Sequence, residues 1–212
     1  MSSNLTLAIP TGRILKETLA VLNSVGWEIS QEDVEARRLH LSNGYRQSFI
    51  LAKDRDVPTF VEHGVADVGV VGEDVLAEAR SDVYQPLDLK IGRCRMVLAR
   101  PKEEESGAYL DLPIVRVATK YPRVASEYFH GRGIPVKVIP LAGSVELAPL
   151  LGLADCIVDL VQTGKTLAAN GLVEDVVLFE STARLIANRA SFRLKRRRFA
   201  SLVNALEEKV GR

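Results

Sequence analysis

The stretch from Glu146 to Leu172, ELAPLLGLADCIVDLVQTGKTLAANGL, constrains this chain more than any other. Cys156-Ile157-Val158 is a short apolar run of the kind that makes a buried strand, and Asp159 ends it. Thr163-Gly164-Lys165-Thr166 follows at once, and Leu167 to Asn170 reads as a short helix closed by Gly171. A strand, a tight turn bearing glycine and hydroxyls, and a helix N-terminus together make a phosphate cradle. Backbone N–H groups and the helix dipole meet the anion, Gly164 permits close approach of the backbone, and threonine hydroxyls donate. A carboxylate at the strand end does nothing for a phosphate, but Asp159 can accept hydrogen bonds from sugar hydroxyls. The ligand implied is a ribose 5-phosphate.

Gly-Lys-Thr also ends the nucleotide-binding P-loop. That motif needs a glycine five residues before Gly164, where this chain has Asp159, so the P-loop is excluded. An ordinary strand–turn–helix without a ligand is the plain competing reading of T-G-x-T alone. The acid at the strand end counts against it.

At these spacings Glu146, Gly152, Ala154, Ile157, Asp159, Leu160, Thr163, Gly164, Thr166 and Leu167 resemble the signature of ATP phosphoribosyltransferase, the enzyme that opens histidine biosynthesis. The resemblance runs from Leu5 to about Asn188. In length the chain is similar to the short form of that family, which lacks a C-terminal regulatory domain and works with a separate subunit similar to histidyl-tRNA synthetase.

Three other stretches carry the resemblance. Leu5 to Ile9 reads as a strand, Pro10-Thr11-Gly12 as a turn, and Arg13 to Ser24 as a helix with Leu15, Leu19 and Leu22 on one face. A cation gains nothing from the dipole at a helix start, so Arg13 asks for an anionic partner. The family's matching arginine contacts substrate phosphates, although other members often carry lysine where this chain has Thr11. Ala66 to Val71 is a buried strand whose end is crowded by Gly69, Gly72 and Asp74, similar to the family's DxGxxG-x-[DE] corner. Ile114 to Ala118 is a further strand, and Thr119-Lys120-Tyr121-Pro122 turns it into a helix ending near Gly131. This matches the family's ATKYP corner and would hold a phosphate.

The remaining elements are read from pattern. Glu35 to Leu41, carrying Arg37 and Arg38, and Ser48 to Lys53 form two strands around Ser42-Asn43-Gly44. Pro58 sits in the first turn of the next helix. Pro101 to Asp111 is a surface loop, and Val136 to Pro140 is a strand. Gly143-Ser144 caps the helix carrying Glu146. Glu174 to Glu180 is a strand, and Ser191 to Val210 is one long helix with Phe192, Phe199, Leu202, Leu206 and Val210 on one face.

Strands alternating with helices predict an α/β fold with mostly parallel sheets. The count fits two lobes, residues 1–91 with 181–212, and 92–180 carrying the sugar-phosphate loop. The resemblance implies a two-lobed, periplasmic-binding-protein-like (type II) architecture with the active site in the interlobe cleft.

It also implies the chemistry. N1 of ATP's adenine displaces pyrophosphate from C1 of 5-phosphoribosyl 1-pyrophosphate. The site residues it implies are Thr163, Gly164, Lys165, Thr166 and Leu167 on the 5-phosphate, with Asp159 and Asp155 on ribose hydroxyls. Arg13, Arg37, Gly72, Asp74, Arg95, Thr119 and Lys120 fall on ATP. Asp159 or Glu146 would stabilise charge developing on the ribose ring, and Arg13 would steady the triphosphate through the reaction. Mg2+ would arrive bound to substrate, with no protein metal ligands expected. The partner implied is the synthetase-like regulatory subunit, joined to a homodimer within a hetero-octamer. The alternatives are a phosphoribosyltransferase for another base, whose loop usually has two adjacent acids where this chain has Val158-Asp159, and a non-catalytic binding or regulatory paralogue.

Charge and cysteine usage narrow the setting. Residues 181–212 hold nine Lys/Arg against Glu207 and Glu208, a balance of +7, so the chain's net +1 leaves −6 for the rest. The basic run at residues 193–198 lacks the interleaved aromatics of a stacking platform, and no nucleic-acid partner is expected. No apolar run reaches membrane-spanning length, and the opening residues do not read as a signal peptide, so a cytoplasmic protein without a membrane partner is expected. Cys94 and Cys156 have no metal or redox spacing, which agrees with a reducing compartment.

Overall fold

The computed structural model describes residues 4–29, 39–42 and 47–211. In chain order the elements are β1 (Leu5–Pro10), α1 (Leu15–Asn23), β2 (His40–Ser42), β3 (Gln47–Ala52), α2 (Val57–Glu62), β4 (Val68–Gly72), α3 (Glu73–Ala79) and β5 (Tyr84–Asp88). Then come β6 (Cys94–Pro101), β7 (Val115–Thr119), α4 (Pro122–His130), β8 (Val136–Pro140), α5 (Leu147–Leu150), β9 (Cys156–Val161), α6 (Lys165–Ala169) and β10 (Leu172–Ser181). The last are β11 (Ala183–Ala187), α7 (Arg189–Leu194) and α8 (Arg196–Val210). Two compact units result: Met1–Gly92 with Thr182–Arg212, and Arg93–Ser181.

The first unit is built on a six-stranded sheet ordered β2-β3-β1-β4-β11-β5. β1 lies between β3 and β4, parallel to both, and its apolar run is buried almost throughout, as a strand covered on both faces must be. One face packs against α1 and α8, which contribute Leu22, Phe199, Leu202 and Leu206. The other packs against α2, where a β-carbon on Gly69 would stand 2.8 Å from both Val57 and Val61. Gly69 therefore serves close helix-to-strand packing.

The second unit is a five-stranded sheet ordered β10-β6-β9-β7-β8. β9, β7 and β8 are parallel neighbours, and β6 and β10 add antiparallel. Both sheets are thus mixed rather than mostly parallel. The cause is the route of the chain. It leaves the first unit through β5 into β6 and returns through β10 into β11. The outgoing and returning runs pair antiparallel within each unit, β5 with β11 and β6 with β10.

Other local expectations shift for physical reasons. The long C-terminal helix breaks at Lys195, whose Nζ donates to the Asn4 carbonyl and to Asp67 Oδ2, both at 2.7 Å. Seven residues along an unbroken helix rise about 10 Å, yet the Phe192 and Phe199 rings lie 5.3 Å apart. The break lets both enter one core.

The acidic stretch after β6 is more than a surface loop. Asp175 accepts hydrogen bonds from Arg100 Nε at 2.9 Å and Ser106 Oγ at 2.6 Å, and Tyr109 is buried beside it. Of the strand expected over residues 35–41, only residues 39–41 fall within the described residues, and Arg37 and Arg38 lie outside them. Ala183–Ala187 is a full strand of the first sheet.

Candidate functional site

β9 extends two residues beyond Asp159, to Val161, before the chain turns. Gln162 and Thr163 lead into Gly164, which has φ +75° and stands at the N-cap position of α6. A β-carbon there would meet nothing closer than 3.5 Å, so the left-handed backbone, and not lack of space, requires glycine. α6 is held down by buried Leu167, while Thr163, Lys165 and Thr166 face solvent. The helix begins at Lys165, two residues earlier than the apolar pattern predicted.

These residues close around a cavity of about 230 Å³, lined by residues 160–167 together with Asp159 and Glu146. The acid at the strand end and the acid on the preceding turn thus share one cavity with the T-G-K-T turn. Glu146 sits at the N-cap position of α5, which is a single turn of helix, and its side chain makes no cap bond. The Ser144 side chain does not cap either; it is the Ser144 carbonyl that accepts the Leu147 N–H, at 3.2 Å.

Asp159 is largely buried, and burial holds its carboxyl above the usual carboxylate range. The Leu160 N–H, which donates to Oδ1 at 2.9 Å, and the Lys120 ammonium oppose that rise. The negative charge of Glu146 adds to it. Lys120 therefore belongs with this acid, carried there by the corner at the end of β7.

Thr119 differs from expectation. It is fully buried, its hydroxyl donates to the Val158 carbonyl at 2.6 Å, and it accepts the Tyr121 N–H at 2.8 Å. Its side chain is committed to fastening β7 to β9 and shaping the corner before α4.

Asp155 is not part of the cavity either. It precedes the first residue of β9, and about 13 Å of strand separates its Cα from that of Asp159. Arg116 holds it through Nη2 at 2.5 Å, Nε at 3.1 Å and the backbone N–H at 2.7 Å. The sequence placed the two aspartates four residues apart, and in a strand that spacing means opposite ends.

Arg95 lies on β6 in register with Val161, two pairs along from Val97 opposite Asp159. Its guanidinium pairs with Glu174, Nη2 to Oε1 at 2.7 Å and Nε to Oε2 at 3.3 Å. Glu174 was not singled out in the sequence because cross-strand neighbours are not legible in one strand's pattern.

Arg13, Gly72 and Asp74 belong to the first unit. Arg13 precedes α1, which starts at Leu15, and its Nη1 donates to the Gly92 carbonyl at 2.6 Å. Gly92 in turn donates its N–H to Glu17 Oε2 at 2.9 Å. Asp74 is buried at the start of α3, where its Oδ1 lies 2.2 Å from the place a β-carbon on Gly72 would occupy. The carboxylate folds back over Gly72, and a β-carbon there would displace it.

Among the described residues no group of three or more His, Cys, Asp or Glu could hold a metal ion. No helix among them is long and apolar enough to cross a membrane. Cys156 is fully buried, and burial raises its thiol far out of the reactive range.

Residues 53–208 match the sequence profile of HisG, ATP phosphoribosyltransferase. An ATP phosphoribosyltransferase of Moorella thermoacetica is 48% identical over 98% of this chain and 93% of its own length. That of Geobacter metallireducens is 45% identical over 99% and 100%. Among solved structures, the ATP phosphoribosyl transferase (HisG:HisZ) complex from Thermotoga maritima matches with a TM-score of 0.85 at 36% identity, covering 98% of both chains. The aliphatic sulphonate binding protein SsuA of Escherichia coli, at 13% identity and a TM-score of 0.60 over 98% of this chain and 72% of its own, shares the periplasmic-binding-protein fold.

Proposed function

The chain belongs to the ATP phosphoribosyltransferase family, and from that premise we propose that it joins N1 of ATP's adenine to C1 of 5-phosphoribosyl 1-pyrophosphate and releases pyrophosphate. The observation that carries this reading is the cavity in which Asp159 and Glu146 share walls with the Thr163–Thr166 turn. One ligand meets both chemistries there, a phosphate on the turn and a ribose against the carboxylates.

The adenine nitrogen is a modest nucleophile, so the protein's task is alignment and charge placement. Thr163, Thr166 and the backbone of the turn hold the 5-phosphate, with Lys165 as a nearby cation. Asp159 accepts hydrogen bonds from ribose hydroxyls. As pyrophosphate departs, positive charge develops on the ribose ring, and the carboxylates of Asp159 and Glu146 stabilise it. Lys120 opposes, without cancelling, the rise that burial imposes on the Asp159 carboxyl.

Mg2+ would arrive with the substrate and would supply charge neutralisation for the departing pyrophosphate. Two carboxylates on one cavity suit an ion that keeps most of its waters, and Glu146 and Asp159 are the residues that would hold that shell. ATP is assigned to Arg13, Gly72 and Asp74 of the first unit, and to Arg37, which lies outside the described residues. The partner is a HisZ-like regulatory subunit, the kind of assembly found in the Thermotoga complex. The setting is the cytoplasm, where both substrates are made.

Release of pyrophosphate from ATP and 5-phosphoribosyl 1-pyrophosphate together, and from neither alone, is the expected result. Release with orotate or another free base in place of ATP would overturn the choice of nucleophile. A chain that binds the sugar phosphate without turnover would be a non-catalytic paralogue.

A further inference from the structure

Glu174 stands beside the phosphate turn and has no role in the chemistry above. Its Oε1 lies 3.5 Å from where a β-carbon on Gly164 would be, and the same oxygen accepts Arg95 Nη2 at 2.7 Å. Both side chains are partly exposed, 37% for Arg95 and 29% for Glu174. Arg95 starts opposite Val161, at the foot of the turn, and Glu174 starts opposite Ala99. The guanidinium thus reaches along the sheet from the foot of the turn to its glycine.

A lone carboxylate at that place would repel any anion on the turn. An arginine gripped through Nε and Nη2 cancels that charge, with Glu180 a second carboxylate acting on the same guanidinium, and the fork leaves its Nη1 edge without a hydrogen bond among the described residues. The arrangement has the form of an aimed cation, in which the carboxylate fixes the rotamers of a long side chain before the ligand arrives.

We propose that Glu174 is a positioning residue that holds Arg95 against the Thr163–Thr166 turn, and that Arg95 serves the sugar phosphate and not ATP. This rests on the turn being the sugar-phosphate site. Glu174→Gln keeps the shape and loses the charge that fixes the fork. It should weaken binding of ribose 5-phosphate in calorimetry, and raise KM for 5-phosphoribosyl 1-pyrophosphate, about tenfold each. Both kcat and KM for ATP should stay within about twofold. Arg95→Met should weaken the same constant at least as much. The double variant Arg95→Met/Glu174→Gln should be no weaker than Arg95→Met, because Glu174 acts through Arg95.

Should Glu174→Gln fail to fold, Arg95→Lys gives the same expected loss, since an ammonium cannot grip both carboxylate oxygens. Unchanged ribose 5-phosphate affinity in Glu174→Gln, a change confined to ATP, or additive losses in the double variant would each overturn the proposal. The parent protein separates this from the reading beneath it. If the parent releases no pyrophosphate, the proposed reaction fails, while the calorimetric comparison still decides the role of Glu174.

Discussion

The Thr119 hydroxyl donates to the Val158 carbonyl at 2.6 Å, one residue before the acid at the heart of the cavity. The same oxygen accepts the Tyr121 N–H at 2.8 Å, so one side chain ties β7 to β9 and sets the turn that delivers Lys120. Both bonds are buried, and Thr119→Val removes them while keeping the shape. The two backbone groups lose their partner, at a cost of about 1–3 kcal/mol. Urea unfolding should show that loss. Kinetics of the folded fraction should change little in KM for ATP. A raised KM for ATP with unaltered stability would return Thr119 to the role of a substrate contact.

Thr166 is the exposed hydroxyl on the first turn of α6. Its replacement by alanine removes one donor from the 5-phosphate, and hydrogen bonds to charged groups are worth about 1.5–3 kcal/mol. Affinity for 5-phosphoribosyl 1-pyrophosphate should fall roughly ten- to a hundredfold. ATP binding should hardly move. Calorimetry that finds the sugar affinity intact would remove Thr166 from the site.

Asp155 and Asp159 look alike in sequence and part company in structure. Asp155 is gripped by Arg116, whose Nε and Nη2 donate to Oδ1 and whose backbone N–H donates to Oδ2, and this closes the start of β9 against β7. Asp155→Asn should lower the melting temperature. Its KM for 5-phosphoribosyl 1-pyrophosphate should stay within about twofold of the parent, since the residue is remote from the cavity. A large rise in that KM at unchanged stability would mean that the carboxylate reaches the ribose after all.

The contrast shows where sequence reasoning works and where it stops. The alternation of apolar runs with turn residues located most of the elements, because burial on both faces leaves its mark on each strand separately. The phosphate turn was legible because Gly164 and the threonines are local to one loop. The mixed sheets were not, since pairing direction depends on where the chain leaves and re-enters each unit. Thr119 and Asp155 have the residue types of ligand contacts, and only cross-strand neighbours, Val158 and Arg116, show that their bonding capacity is spent. Glu174 was passed over for the same reason. The break at Lys195 depends on Asn4 and Asp67, far away in sequence.

Keeping a buried Asp159 charged costs the folded chain stability. Burial raises its folded pKa above the unfolded value, despite the Leu160 N–H and Lys120. Between the two values the folded chain holds more protons than the unfolded one. Stability therefore falls as pH rises through that window, and a constant penalty persists above it. Asp159→Asn removes the penalty, so at neutral pH the variant should melt at or slightly above the parent. At acidic pH, where the parent carboxyl is protonated in both states, that advantage should vanish. The rate should move the other way. The charge matters most as the ribose ring becomes cationic, so kcat should fall about a hundredfold, with a smaller change in substrate affinity. The parent's rate should also drop at acid pH along a limb set by an acid above the ordinary carboxylate range, and the asparagine variant should lack that limb. Melting curves and rates measured across acid to neutral pH decide the matter. A variant that is less stable than the parent at neutral pH and keeps its kcat would assign Asp159 to structure and not to the reaction.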